Sequence, residues 1–388
     1  GGDPESIAAA ADLLANADRP VVVPGGGCML SEAWDEVREL AEHLQAPVSP
    51  TFQGKGVISE DHDLYVGYAG WIGSTAGNEL ASSADVILAI GVRFSDLHTS
   101  SFEPGVSFEI PPSKLVHVDI DPHEIGKNYP VEVGIQGDAR VVTGQIRDAV
   151  ADRTEPVGTD GNDYYDEIQQ RWDEWVDLLE ARKVDDDVPM SISRVLAALR
   201  ESVDRDGIVV SSAGQPQETT NPEFPVYEPR TNVSCGGFST MGFGVSAAIG
   251  AKLARPDRQV VAVEGDGSFL QTNQEVACAV QHDVDLVYLV LNNHGWKSIR
   301  NLQVEKYGRD RVLDTEFDPE TDVDYLKLAD AFDVGFAERV VKPEALGDVF
   351  EDALAHDGPA IVEAMVRPDD PDSGAVVTGE WDLADLEN

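Results

Sequence analysis

At 388 residues the chain has room for two or three domains. Its 28 Lys and Arg against 72 Asp and Glu leave a formal charge of −44, which repels nucleic acid and anionic membranes and excludes both as partners. It is also no disordered acidic tail, because 42% of its residues are apolar and fall into strand-like runs. Only nine residues are lysines. Dispersed acid with little lysine reads as adaptation to high salt, where screening weakens self-repulsion, and predicts a halophilic source. Cys28, Cys235 and Cys278 are odd in number and lack metal-ligand spacing, so they read as buried free thiols of a reducing compartment. No signal peptide or membrane-length apolar run is legible, and a cytoplasmic protein is expected.

In chain order, residues 7–17 read as a helix and 20–24 as a strand running into Gly25-Gly26-Gly27. Residues 31–44 form an amphipathic pattern with Ser31 as N-cap. Strands follow at 84–90, before Gly91-Val92-Arg93-Phe94, and at 114–120, before Asp121-Pro122. A glycine-rich turn after a strand gives physical reason for a nucleotide near Gly25–Gly27, although the dinucleotide fingerprint is absent. Arg93 is expected as a buried turn arginine that pairs with an acid or clasps a phosphate. Residues 151–188 read as a polar linker around a helix at 164–182, ending in Asp185-Asp186-Asp187. Residues 189–371 read as a second α/β domain and 372–388 as an exposed tail. The expected class is α/β, two doubly wound parallel-sheet domains, the first spanning 1–150.

The second domain carries the chemistry. Residues 260–264 and 286–291 are β-branched, apolar runs that end abruptly in Gly265-Asp266-Gly267-Ser268 and Asn292-Asn293, with a helix-forming segment at 274–280 between them. Asp266 and Asn293 are 27 residues apart, about one strand–helix–strand repeat, which puts both at the carboxyl edge of one parallel sheet. Taken singly, a Gly-Asp-Gly is commonly a turn and an Asn-Asn a loop. Together they place a carboxylate and an amide carbonyl side by side, hard oxygen ligands suited to Mg²⁺. Gly265 and Gly267 would let the backbone approach a phosphate, with the following helix offering N–H groups. Upstream, residues 208–211 are the first strand, ending in a turn at Ala213-Gly214-Gln215-Pro216-Gln217. Ser234-Cys235-Gly236-Gly237-Phe238-Ser239-Thr240-Met241-Gly242 then opens another helix.

The Gly265–Ser268 and Asn292–Asn293 pair resembles the thiamine diphosphate-binding motif. The whole chain resembles the central and C-terminal domains of acetolactate synthase catalytic subunits. For the central domain the resemblance rests on Gly91-Val92-Arg93-Phe94, residues 119–127, Gly137-Asp138-Ala139, Gly54-Lys55-Gly56 and Glu60-Asp61-His62. It implies Mg²⁺ bound by Asp266, the Asn293 side chain and the Gly295 carbonyl, with the diphosphate on Gly265, Gly267 and Ser268. It implies a second diphosphate loop at Gly214, Gln215 and Gln217, where Pro216 stands in place of a frequent histidine. It implies that Met241 props the cofactor into a bent conformation while the Ser239 carbonyl and Met241 amide hold the pyrimidine edge. The central domain of such enzymes takes FAD, ADP or no nucleotide.

The resemblance further implies a transferase or lyase of branched-chain amino acid biosynthesis, acting on a 2-oxo acid such as pyruvate, as a homodimer or homotetramer. It also implies a pyrimidine-binding domain, carrying an activating glutamate, that these residues do not contain. That domain would come from a longer chain or from a partner subunit, and these residues alone are expected to be inactive. The chain departs from the family after Asn293, where Gly-Met-Val and Gln-Trp-Gln are usual. Here Ile299, Leu302 and Gln303 stand, and only the glutamine is retained. A 2-oxo acid decarboxylase of different substrate and a non-catalytic cofactor- or nucleotide-binding module are the alternatives. His294 reads either as an acid–base group or as a structural loop histidine, and Trp296 as a pocket cap or a packed side chain.

Overall fold

The computed structural model describes residues 1–313 and 315–367. The expected tail at 372–388, and residues 368–371 of the expected second domain, lie outside them. The described chain divides into two units, Gly1–Leu178 with Val226–Arg230, and Leu179–Pro225 with residues 231–367.

The first unit is built on four parallel strands, β1 (Pro20–Pro24), β2 (Val86–Ile90), β3 (Lys114–Asp119) and β4 (Val133–Gln136), adjacent in that order. Parallel bridges from Val22 to Val48 and from Val48 to Tyr65 extend the sheet beyond β1. The chain thus leaves β1 toward one edge and returns to lay β2 on its other side, the reversal of a doubly wound sheet. Strand alternation divides the core between two faces. Val22, Leu88 and Val116 pack with Leu14, Val37, Leu40, Val142 and Ile146 from the helices Pro4–Ala15, Trp34–Leu44 and Ala139–Ala151. Val21, Ile87 and Leu115 pack with Phe94 and Phe108.

Several local expectations change. Ser31 is not an N-cap: a short helix, Gly26–Ser31, ends at Glu32, whose φ of 57° is left-handed, and Ala33 precedes the next helix. The Ser31 hydroxyl instead donates to Asp138 at 2.7 Å, and Asp138 caps Ala139–Ala151. Arg93 is exposed rather than buried, because the buried turn positions go to its neighbours Val92 and Phe94. The Gly25–Gly27 turn is closed by backbone. A Cβ on Gly25 would lie 2.2 Å from the Gly91 carbonyl oxygen, and one on Gly27 would lie 2.7 Å from Gly91 Cα. The N–H groups of Gly25, Gly27 and Cys28 donate to Ile90, Gly91 and Gly25 carbonyls. Gly25 and Gly27 serve close strand-end packing, and their N–H groups are taken by those carbonyls. Cys28 is buried, whereas Cys235 and Cys278 are only half-buried; all three are free, the latter two lying on a loop and a helix rather than inside a sheet.

The second unit holds six parallel strands: β5 (Ile208–Ser211), β6 (Asn232–Ser234), β7 (Val260–Gly265), β8 (Val287–Asn292), β9 (Phe336–Val340) and β10 (Ala360–Met365). Their order is β6-β5-β7-β8-β10-β9. The chain reverses between β5 and β7, so a second doubly wound crevice opens there. β7 and β8 are central and buried, with Val210, Ala262, Tyr288 and Val290 packing on Phe269, Val276 and Tyr325. The acidic run at 185–187 is not free in solvent: Arg367 pairs with Asp185 and Asp187, and Arg194 with Asp186. Among the described residues no helix is long and apolar enough to cross a membrane.

A candidate cofactor site at the ends of β5, β7 and β8

Gly265 stands opposite Leu291 in the parallel register of β7 and β8, so Asp266 and Asn293 leave adjacent strands at the same edge. β7 passes directly into the helix Asp266–Thr272, so Asp266 is the first residue after the strand. Its carboxylate is buried and doubly held, Oδ1 accepting from Gly267 N–H at 2.7 Å and Oδ2 from Gly295 N–H at 2.9 Å. Burial pushes this carboxyl up to about 7, with the two N–H bonds pulling the other way. Asn293 is 5% exposed; its amide donates to Gln215 Oε1 at 2.6 Å, and its Oδ1 is buried without a hydrogen-bond partner. An orphaned buried acceptor beside a buried carboxylate is an arrangement that a cation relieves.

Gly214, with a φ of 87°, turns the chain from β5 into the helix Gln215–Glu223. Gln215 reaches Asn293, while Gln217 accepts at 3.2 Å from the Ser239 hydroxyl on the glycine-rich loop. One short helix therefore ties the metal-side residues to the loop of Ser239 and Met241. That loop is open to solvent, with Met241 43% and Phe238 94% exposed.

Two family models match the chain: the thiamine pyrophosphate enzyme central domain over residues 7–146, and the C-terminal thiamine pyrophosphate-binding domain over residues 212–364. The chain belongs to the thiamine pyrophosphate enzymes. It is 33% identical over 377 residues to a probable acetolactate synthase large subunit of Methanococcus aeolicus, a match covering 95% of this chain and 61% of that one. The corresponding protein of Methanocaldococcus jannaschii is 32% identical over 95% of this chain and 61% of its own. The acetolactate synthase of Mycobacterium leprae is 32% identical over 94% and 57%. The chain thus spans less than two thirds of the length of these relatives.

In this thiamine pyrophosphate enzyme the expected residues fall into two groups. Asp266, Asn293, Gly295, Gly265, Gln215 and Gly214 gather at the sheet edge, and Gln217 joins them to Ser239. Ser268 is committed elsewhere, its hydroxyl donating to Glu264 at 2.7 Å and accepting from Gly242 N–H at 2.8 Å. Gly267 is required by a side chain: a Cβ there would lie 2.4 Å from the Trp296 indole nitrogen. Trp296 is accordingly packed, edge-on to Phe317 at 4.7 Å. His294 Nδ1 lies 2.6 Å from Asp322 Oδ2, a pairing that suits an acid–base histidine as well as a structural one. Gly295 gives its N–H to Asp266, and its carbonyl accepts from Lys297 N–H at 3.1 Å.

Two acids, one buried and one half-buried, were not legible as part of this site. Glu264 is fully buried at the end of β7, and its carboxyl is pushed up to about 7 by burial. Glu218, one turn after Gln215, accepts from the Ser298 hydroxyl at 3.2 Å and is likewise pushed up to about 7 by burial. Ser298 sits beside the Gly214 turn, 3.4 Å from where a Cβ on Gly214 would be. An acid within an apolar strand was the available signal for Glu264; nothing local marks Glu218, whose partner Ser298 is 80 residues away.

Proposed function

We propose that these residues form the Mg²⁺- and thiamine diphosphate-binding part of a lyase or carboligase acting on a 2-oxo acid such as pyruvate. The observation that carries this reading is the unpartnered, buried Asn293 Oδ1 beside the buried Asp266 carboxylate. Asp266, Asn293 Oδ1 and the second lone pair of the Gly295 carbonyl fit a hard divalent cation. Gly265, Gly267 and Ser268 would adjoin the diphosphate, and Gly214, Gln215, Gln217, Ser239 and Met241 the rest of the cofactor. When bound, the cofactor supplies carbanion stabilisation at a carbonyl-derived carbon. The chain's own part is to hold the cation, fix the loop of Ser239 and Met241, and keep water from the sheet edge. FAD in the first unit is proposed only as the resemblance implies it, and no step is assigned to it.

Relatives named as large subunits support assembly with further subunits or copies, and the exposed Phe238 and Met241 give such a contact an apolar face. Calorimetry should show binding of thiamine diphosphate that requires Mg²⁺; binding indifferent to Mg²⁺ would remove the metal assignment. The 388 residues by themselves are expected to release no CO₂ from pyruvate at a typical enzymic rate of roughly 1 s⁻¹ or more. Supplying a pyrimidine-binding domain should restore turnover. A second reading, decarboxylation of a different 2-oxo acid, rests on Ile299 and Leu302, which stand where the family usually has valine and tryptophan.

A further inference from the structure

Glu264 sits two residues before Asp266, so its backbone is fixed by the same strand end that presents the metal-side carboxylate. Its side chain takes the opposite course. Oε2 accepts from Ser268 Oγ at 2.7 Å, and that hydroxyl also lies 3.0 Å from Ser212 Oγ at the end of β5. Ser268 Oγ in turn accepts from Gly242 N–H at 2.8 Å, directly after Met241, while Ser212 lies 3.5 Å from the Thr240 carbonyl, directly before it. Oε1 lies against the start of the twelve-residue helix Phe243–Ala254. A Cβ on Gly244 would fall 2.2 Å from it, so glycine is the residue that lets the carboxyl reach the helix end. An acidic group there is favoured by the helix dipole and by free N–H groups.

From this geometry we infer that Glu264 is a positioning residue that locks the loop of Ser239, Thr240 and Met241 to the Gly265–Ser268 turn. Its Oε2 holds Ser268, and its Oε1, buried without a hydrogen-bond partner, lies against the start of the helix Phe243–Ala254 at the crevice where the sheet reverses. Through Ser268 it sets where Gly242, and therefore Met241, stands relative to Asp266. Its hydrogen bond goes to Ser268 and not to Asp266 or Asn293, so it acts on the spacing between the two halves of the site. The inference rests on the thiamine diphosphate reading for the identity of that ligand, but not for the lock itself.

Two substitutions break the lock from opposite sides. Glu264→Gln keeps the shape and removes the charge, and Gly244→Ala leaves the glutamate intact but drives its carboxyl away. Hydrogen exchange of the unliganded protein reads the lock directly: both variants should exchange the amides of residues 239–244 about tenfold faster than wild type, while β8 stays protected. Calorimetry then compares Mg²⁺ with inorganic pyrophosphate, a probe for the diphosphate end alone, and Mg²⁺ with thiamine diphosphate. Pyrophosphate affinity should be retained and thiamine diphosphate affinity should fall about tenfold. Loop exchange and thiamine diphosphate affinity both unchanged in the two variants would overturn the inference. Equal losses for the two probes would overturn it as well, since that pattern means general damage to the unit. Wild-type protein that binds neither probe would instead remove the thiamine diphosphate reading, with the exchange measurement still deciding whether the lock exists.

Discussion

Both units contain the same topological device, a parallel sheet whose winding reverses between two neighbouring strands, and they use it in opposite ways. Between β1 and β2 the crevice is shut by backbone, with Gly25 and Gly27 pressed on Gly91. Between β5 and β7 it is filled with buried polar side chains, Ser212, Ser268 and Glu264, and the ends of β7 and β8 add Asp266 and the orphaned Asn293 Oδ1. A reversal supplies a place for a ligand, and only the residues at the strand ends decide whether one is held. Glycine-richness alone misleads here, because glycine serves close packing and ligand approach equally well.

Asp266→Ala removes the charged ligand of the second crevice. Mg²⁺-dependent thiamine diphosphate affinity should fall by more than about a hundredfold, since even outer partners of metal ligands are worth about 10–100-fold. Calorimetry giving wild-type affinity would place the cation elsewhere. Gly25→Ala is the counterpart in the first unit. Its Cβ meets backbone that cannot swing aside, so denaturant unfolding should show a loss of about 2–3 kcal/mol, with cofactor affinity unchanged. A neutral Gly25→Ala would mean that the crevice between β1 and β2 is open after all.

Glu218 makes the stability of the second unit depend on pH. Its carboxyl is raised to about 7 from an ordinary 4.5, so the folded state binds more protons than the unfolded one between those values, and stability declines as pH rises through that window. Glu218→Gln removes this contribution. The variant should gain about 1–3 kcal/mol relative to wild type between pH 4.5 and 8, read from unfolding curves at several pH values. A pH-independent difference would show that the carboxyl is not held neutral. The smallest and least local effect is that of salt. The −44 charge acts on both units, so melting midpoints should climb with KCl toward molar concentrations, each kcal/mol being worth roughly 2–4 °C. A flat or falling midpoint would contradict the halophilic reading.

Regular, fully buried elements were legible because period and β-branching are local signals. The expected strand at 20–24 matches β1, and the expected helix at 164–182 differs by one residue at each end from Asp163–Lys183. Short or half-exposed elements were not: β4, β6 and the helix Thr75–Ser82 carry too little apolar pattern to stand out. Ser31 looked like an N-cap because its type is right, and Asp138, 107 residues away, takes its hydroxyl instead.

By itself the sequence determined the two α/β units, the strand ends that present Asp266 and Asn293, and an acidic surface. All of these follow from neighbours along the chain. Tertiary structure decided that Gly25–Gly27 closes a crevice, that Ser268 turns to Glu264, that Trp296 requires Gly267 and that Asn293 Oδ1 is left without a partner. Each of those depends on atoms brought together from different strands and loops. Whether a buried polar atom is satisfied is a property of its surroundings in space, which no spacing along the chain records.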